Sequence, residues 1–434
     1  MKNRKWLFVV GAVILVAVIG VGIGIGTLSQ GKAEGHPDRG LPIVELGLNG
    51  VSLIDMKEGD KDTKYAGNTV ALLSMGKEQK WEEVEVKGRG NATWGQEKKP
   101  WQLKFAERVN FLDMGRNRKW VLLANYLDSA YIRNVSAMEV MQMLGMRFSP
   151  EGEFVELYVD GEYEGLYLAT RKTEVGRGSV DLRDPAGVLV ELDNIYGHNE
   201  VFYTTQAGSA LVLVDEVDET MAEQAMRGFL NDFNRLEIAA EAGDWAAIAE
   251  LVDTRSFAEY FLLSEMVVDV DAYFTSQYFY KDGEADKIHA GPGWDFDMTF
   301  GNENWAAAFG PTVDQARHEE ILDWPRYNEE TDEWEEWQQY GNVSKVFFQL
   351  MEIPEFQAEV KTVWQEKMAG RKAELLIRMR KMVDKIWPAM AADAEKWGRG
   401  DFEAEIRELL DWVRVRYDFM EEKYGAGAGS ARVL

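Results

Sequence analysis

The chain has 434 residues, 46% of them hydrophobic, 28% charged and 12% aromatic, the balance of a folded protein with one large domain or two ordinary ones. Lys and Arg number 48 against 75 Asp and Glu, a formal net charge of −27 that excludes a nucleic-acid backbone binder and favours basic partners and cations. There is no cysteine, so disulfides, thiolate metal sites, iron–sulfur clusters and cysteine nucleophiles are ruled out. The four scattered histidines form no His-x-x-x-His pair, which leaves hard-cation chemistry on carboxylates.

In chain order, Lys2, Arg4 and Lys5 precede a charge-free apolar run from Trp6 to Leu28. At 1.5 Å per residue that run reaches about 34 Å as a helix, enough to cross a bilayer. No small-x-small cleavage site follows it, so residues 1–28 read as a retained anchor in preference to a cleaved signal. The basic flank stays inside. The expectation is a single-pass cell-membrane protein with an extracytoplasmic C-terminal portion. Residues 29–40, with Gly31, Gly35 and Gly40, read as a linker.

Residues 41–215 are predicted to be β-rich, with strand signals at Val84–Lys87, Trp101–Phe105, Trp120–Leu123, Phe154–Val159 and Gly165–Ala169. Asp160-Gly161 is a hairpin turn signal. One helix is predicted over Ala130–Leu144, capped by Asp128 or Ser129. Residues 216–424 turn helical, over Glu219–Ala242, Trp245–Leu251, Ser256–Val268, Ser344–Met351, Glu355–Lys385 and Phe402–Tyr424, and residues 425–434 form a small-residue tail. The fold class this predicts is α+β, a β-rich N-terminal lobe and a helical C-terminal lobe with a cleft between them.

The irregular stretch inside the helical half holds the acids of interest. Asp269-Val270-Asp271 follows an apolar helix, and Gly291-Pro292-Gly293-Trp294-Asp295-Phe296-Asp297 follows a predicted hairpin, Gln277–Lys281 returning through Lys287–Ala290. A hairpin brings its ends together, so Asp271 and Asp295 should be neighbours, and two close carboxylates call for a cation or a proton between them. Phosphoryl transfer uses such a pair, one Asp orienting the acceptor hydroxyl and another holding Mg²⁺ on the phosphates. In protein kinases a metal-binding Asn lies five residues after the catalytic Asp, and an Asp-Phe-Gly element follows. Here Ser276 and Asp295-Phe296-Asp297 stand at those places. Acid-rich hairpin ends also occur as plain turns.

Upstream, Gly88-Arg89-Gly90-Asn91-Ala92-Thr93-Trp94 is followed by Lys98-Lys99-Pro100-Trp101-Gln102-Leu103-Lys104-Phe105, a glycine turn before a basic strand in an acidic protein. It is not a P-loop. On glycine count alone it reads as an ordinary turn beside a solvated strand.

Taken together these stretches resemble the CotH family, the spore-coat protein H type of atypical secretory kinase. Three more stretches carry the resemblance. They are Trp120-Val121-Leu122-Leu123-Ala124-Asn125 with Asp128, Arg133 and Asn134; Gly161-Glu162-Tyr163-Glu164-Gly165-Leu166-Tyr167; and Phe300-Gly301-Asn302 behind Asp295. The resemblance implies a bilobal kinase-like fold that binds ATP with Mg²⁺ or Mn²⁺ and phosphorylates Ser or Thr of protein substrates, basic ones given the charge. It implies Asp271 as the catalytic carboxylate and Asp295, Asp297 and Ser276 at the metal. It implies Lys104 as the strand lysine on the phosphates, with Lys98 and Lys99 as rivals, and Arg89 and Asn91 in the phosphate turn. Ser276 departs from the family's Asn, and Arg171 stands where the family often has Glu. Arg133 and Asn134 read equally as structural, and His289 as a hairpin residue. The acidic run Glu329-Glu330 with Asp332-Glu333-Trp334-Glu335-Glu336 reads as a solvated face, or as a dock for a basic peptide. Two other functions stay open: a sugar-nucleotide transferase using Asp269-Val270-Asp271, and a surface or spore-coat scaffold or adhesin that keeps the kinase shape without activity.

Overall fold

The computed structural model describes residues 35–194, 202–269, 271–302, 310–313 and 344–425, with two short strands at 325–328 and 333–336. The apolar run Trp6–Leu28 lies outside the described residues, among which no helix is long and apolar enough to cross a membrane.

Strands β1 (Ile43–Gly47), β2 (Tyr65–Ser74), β3 (Lys77–Gly88), β4 (Trp101–Asn110), β5 (Arg116–Leu123), β6 (Gly152–Val159) and β7 (Glu162–Arg171) close into a barrel in the order β1-β2-β3-β4-β5-β7-β6. Closure comes from β1, which pairs antiparallel with β2 and parallel with β6. Alternation decides what fills it. Val44, Leu46, Val84, Val86, Trp101, Leu103, Phe105, Trp120, Leu122, Val155 and Leu157 point inward and are buried together. The β6–β7 turn is Asp160-Gly161, both at positive φ (49° and 82°), as the dipeptide signal requires.

Two helices belong to this half: α1 (Leu53–Glu58), with a Ser52 capping box, and α2 (Arg133–Leu144). Helix α2 starts at Arg133, three residues later than expected, with Ile132 and not Asp128 or Ser129 at its N-cap. Asp128 accepts from the Arg133 N–H at 2.7 Å and from its guanidinium at 2.5 Å, five residues ahead of the helix. The end of the predicted linker is pinned to the barrel, with Arg39 on the buried Glu156 carboxylate at 2.7 Å and His36 on Glu45 at 2.7 Å.

A second sheet runs β12-β11-β8-β10-β9, formed by β8 (Gly187–Leu192), β9 (Tyr203–Thr204), β10 (Ala210–Glu216), β11 (Gln277–Asp282) and β12 (His289–Ala290). It draws strands from both sides of residue 215. One face, with Val188, Val190, Leu192 and Phe279, packs into the helical core. That core is built from α2 with α3 (Ala222–Ala242), α4 (Trp245–Leu251), α5 (Thr254–Val267), α6 (Val346–Met351), α7 (Pro354–Lys367), α8 (Lys372–Trp397) and α9 (Phe402–Tyr424). The opposite face carries Leu189, Glu191, Tyr278 and Tyr280 and looks toward Trp294. Strands β13 (Pro325–Asn328) and β14 (Glu333–Glu336) pair with each other. The side chains of the acidic run lie outside the described residues.

A buried ion pair is one of the ties between the two halves. Lys98, ahead of β4, and Asp393, in α8, are both 0% exposed and meet at 2.5 Å. The same carboxylate oxygen accepts the Leu166 N–H at 2.8 Å. Gly165 must be glycine there: its φ is 117°, and a Cβ would fall 2.2 Å from that oxygen.

Candidate active site

Helix α5 ends on Val268 at positive φ, and the chain then turns tightly back on itself. Asp269 is buried, and its carboxylate accepts the Asp271 N–H at 3.1 Å. The Asp271 carbonyl accepts from Phe274 and Thr275, at 3.1 and 3.0 Å, so the turn is fixed from both sides. Tyr273 (φ 68°) anchors it by stacking on Phe347, ring centroids 4.9 Å apart. Ser276, also at positive φ, leads into β11.

The hairpin is as predicted: Tyr280 faces His289 and Phe279 faces Ala290. His289 stacks on Tyr280 at 4.8 Å, the plain hairpin role expected of it. The chain leaves β12 through Gly291 and Trp294 into Asp295, whose φ is 68°. Three non-glycine residues at positive φ, Tyr273, Ser276 and Asp295, thus cluster at the two ends of one hairpin. Such backbone strain collects at functional sites.

Helix α2 holds the second acidic loop. Asn134 accepts the Phe296 N–H at 3.0 Å and donates to the Asp297 carboxylate at 2.7 Å. Arg133 donates to the Thr299 carbonyl at 3.1 Å, and Asn302 clamps the Asp297 carbonyl at 2.7 Å. Arg133 and Asn134 are therefore positioning residues, and all the resemblance motifs around them converge on this loop.

The two acidic ends act on each other. Burial pushes Asp271 up to about 7, and the Asp295 charge pushes in the same direction. Asp297 is driven to about 8 by burial, then by Asp295 and Asp128, against the pull of Asn134 and Arg133. Burial of its carboxylate also raises Asp295, while Arg89 and a hydrogen bond from Ser276 hold it down. Asp295 nonetheless keeps contact with solvent.

The acid that sequence reasoning missed is Glu191. It stands opposite Tyr278 in the sheet and is pushed to about 8 by burial, Asp193 and Asp295, with Arg89 and a Tyr278 hydrogen bond opposing. Its signal was present: one carboxylate in an otherwise apolar strand, Gly-Val-Leu-Val-Glu-Leu.

The cations expected at the phosphates divide. Arg89 reaches the acids, with its guanidinium 5.2 Å above the Trp294 ring. Burial lowers its pKa, and Tyr278, Asp295, Glu191 and Asp297 offset that. Lys104 does not reach them. It lies on the outside of the barrel between Glu85 and Lys119, paired with Glu85 at 3.5 Å, because Leu103 and Phe105 take the inward positions of β4. Lys99 donates to the Trp94 carbonyl, and Asn91 accepts from Lys61 at 2.5 Å. Lys98 is committed to Asp393. Arg171 donates to the Met114 carbonyl and pairs with Glu151 at 3.2 Å.

The donor set fits a hard divalent cation. Several carboxylates crowd together with raised pKa values, and Ser276 adds a hydroxyl at Asp295. Among the described residues no three acidic or histidine side chains already converge on one point. Mg²⁺ ordinarily takes only one or two carboxylates, completing its shell with phosphate and water oxygens.

The chain is thus an α+β protein, a closed barrel joined to a helical body, in which Arg89, Asp271 and Asp295 come within electrostatic reach of one another. The family model described as CotH kinase protein matches residues 84–420, and the chain belongs to that family. No curated protein matches it. Among solved structures it is similar to the Helicobacter pylori proinflammatory kinase CtkA, at 8% identity and a TM-score of 0.25, over 74% of this chain and 95% of that one. So distant a likeness carries no structural argument.

Proposed function

We propose that this chain is an ATP-dependent protein kinase that transfers the γ-phosphoryl group to Ser or Thr hydroxyls of basic protein substrates, working outside the membrane to which Trp6–Leu28 tethers it. Family membership supports the kinase class. The observation that carries the site is the β11–β12 hairpin, which sets Asp271 and Asp295 at its two ends, where the Asp295 charge raises Asp271 and Arg89 pulls Asp295 down.

Asp271 receives the proton of the acceptor hydroxyl as its oxygen bonds to the γ-phosphorus and the bond to the β-phosphate oxygen breaks. A carboxylate near 7 is well matched to that task at neutral pH. Arg89 binds phosphate oxygens and favours the ionised form of Asp295. Asp295 with Asp297 or Ser276 would hold a divalent cation, Mg²⁺ or Mn²⁺, which would supply charge neutralisation on the phosphates. Asn134 keeps Asp297 aimed, and the buried Asp269 fixes the backbone under Asp271.

The test is phosphate incorporation into a basic Ser-rich peptide by the full chain in detergent with ATP and Mg²⁺ or Mn²⁺, read by intact mass. Transfer by the wild type and its loss in both Asp271→Asn and Asp295→Asn is the expected outcome. Failure to bind ATP or to transfer phosphate overturns the reading in favour of a surface scaffold.

A further inference from the structure

One face of α9 reaches the chain behind both acidic ends of the site. Trp412 and Arg416 lie one helical turn apart on it. Arg416 is fully buried. Its Nε donates to the Glu265 carbonyl at 2.7 Å, and Nη2 donates to that carbonyl and to the Glu265 carboxylate, the latter at 3.0 Å. Nη1 donates to the Pro311 carbonyl at 3.4 Å and to the Val313 carbonyl. The guanidinium thus joins two segments that lie on either side of the acidic hairpin in sequence. Leaving any of these carbonyls empty would strand a buried polar group, and a lysine has too few donors to fill them all.

Glu265 sits in the last turn of α5, where helix carbonyls lack intrahelical donors. That turn feeds both acidic loops. The Asp269 N–H donates to the Ser264 carbonyl at 3.2 Å, and the Phe300 N–H, from the loop after Asp297, donates to the Val267 carbonyl at 2.6 Å.

Trp412 holds the second loop directly. Its ring meets Phe300 edge to face, centroids 5.8 Å apart. Gly301 has a φ of 71°, and a Cβ there would fall 2.5 Å from the Trp412 Nε1. Among the described residues that nitrogen is buried without an acceptor, so packing and not a hydrogen bond sets the ring against Gly301. Asn302, the next residue, is the one that clamps the Asp297 carbonyl at 2.7 Å.

We infer that Trp412 and Arg416 are positioning residues, through which α9 clamps the end of α5 to the loop of Asp295 and Asp297 and so sets the spacing of the carboxylates that take a divalent cation. That the cation serves phosphoryl transfer rests on the kinase reading above, whereas the clamp does not.

The test measures Mn²⁺ affinity of the full chain in detergent by calorimetry, with and without ADP, beside the Mn²⁺ dependence of phosphate transfer and the melting temperature. Variants are Gly301→Ala, Gly301→Ala/Trp412→Phe and Arg416→Lys, with Gly165→Ala as a destabilised control remote from the acids. Gly301→Ala and Arg416→Lys should each weaken Mn²⁺ binding about tenfold, as loss of outer support for metal ligands does. The smaller phenyl ring makes room for the added methyl, so the double variant should regain most of the affinity. Gly165→Ala should melt lower with Mn²⁺ affinity unchanged. Should Arg416→Lys fail to fold, the Gly301→Ala pair carries the test. Unchanged Mn²⁺ affinity in Gly301→Ala, or an equal loss in Gly165→Ala, overturns the clamp while leaving the kinase reading intact. Mn²⁺ binding that follows the expected pattern in a wild type that transfers no phosphate keeps the clamp and overturns the kinase. A wild type that binds no Mn²⁺ beyond what ADP alone takes overturns both.

Discussion

Replacing Asp295 by Asn should make the ligand-free protein more stable at pH 8 while destroying its activity. Burial and the Asp295 charge together lift Asp271 from 3.8 to about 7, a difference of about 4 kcal/mol at about 1.4 kcal/mol per unit. Burial is the larger cause, so the share of Asp295 is at most ~2 kcal/mol, and its openness to solvent screens that to about 1 kcal/mol. Smaller shares arise at Asp297 and Glu191, which Asp295 also repels. The sign follows from linkage. A carboxyl whose folded pKa is raised favours the fold while it holds its proton, and loses that stability as pH climbs from the unfolded to the folded value. At pH 5 the folded protein keeps Asp271, Asp297 and Glu191 protonated, so Asp295 has little to repel. By pH 8 Asp271 is largely ionised and the other two about half.

Unfolding entropy for a body of this size is roughly 0.8 kcal/mol per kelvin, so the variant should melt about 1–2 °C above wild type at pH 8. At pH 5 the two should coincide. Added Mg²⁺ should raise the wild-type melting temperature at pH 8 and raise that of the variant less. Differential scanning calorimetry at the two pH values decides it. A variant that melts lower than wild type by the same amount at both would show that Asp295 is held by net attraction, and the electrostatic account of the site would be wrong.

Asp271→Asn should lower kcat by about 10²–10⁴ with nucleotide affinity retained, checked by separate turnover and binding measurements. Removing the carboxylate in Asp393→Ala should cost about 3–5 kcal/mol, because it strands the buried Lys98 ammonium, and the Lys98→Met/Asp393→Leu double variant should recover much of that in denaturant melts. Gly165→Ala should cost about 1–3 kcal/mol by driving a methyl against the Asp393 carboxylate, visible as a lowered unfolding midpoint. Asn134→Ala should reduce turnover more than its melting temperature implies, since it frees both the Phe296 N–H and the Asp297 carboxylate.

The hairpin and its acids were legible in the sequence because both are local. Alternation from Gln277 and the Gly-Pro-Gly exit fix where the strands end, and strand ends meet whatever the rest of the chain does. The outward side of Lys104 was not legible, since it depends on whether Trp101 or Gln102 faces the barrel, a choice made by Leu103, Phe105 and Trp120 packing together. Barrel closure by β1 on β6 is long-range, Ile43 meeting Glu156, and leaves no local mark. Glu191 escaped for the same reason. Its neighbours come from β11, from the Asp295 loop and from the turn after β3, which only the assembled sheets bring together.

The contact between Lys98 and Asp393 spans 295 positions of sequence. In an emerging chain the ammonium of Lys98 has no carboxylate at this contact until residue 393 has been made. Until α8 arrives, the β6–β7 hairpin also lacks the acceptor for its Leu166 N–H. A chain that stops short of residue 393 is left with an unanswered charge beneath the barrel. The far end of the polypeptide thereby answers a charge set near its beginning.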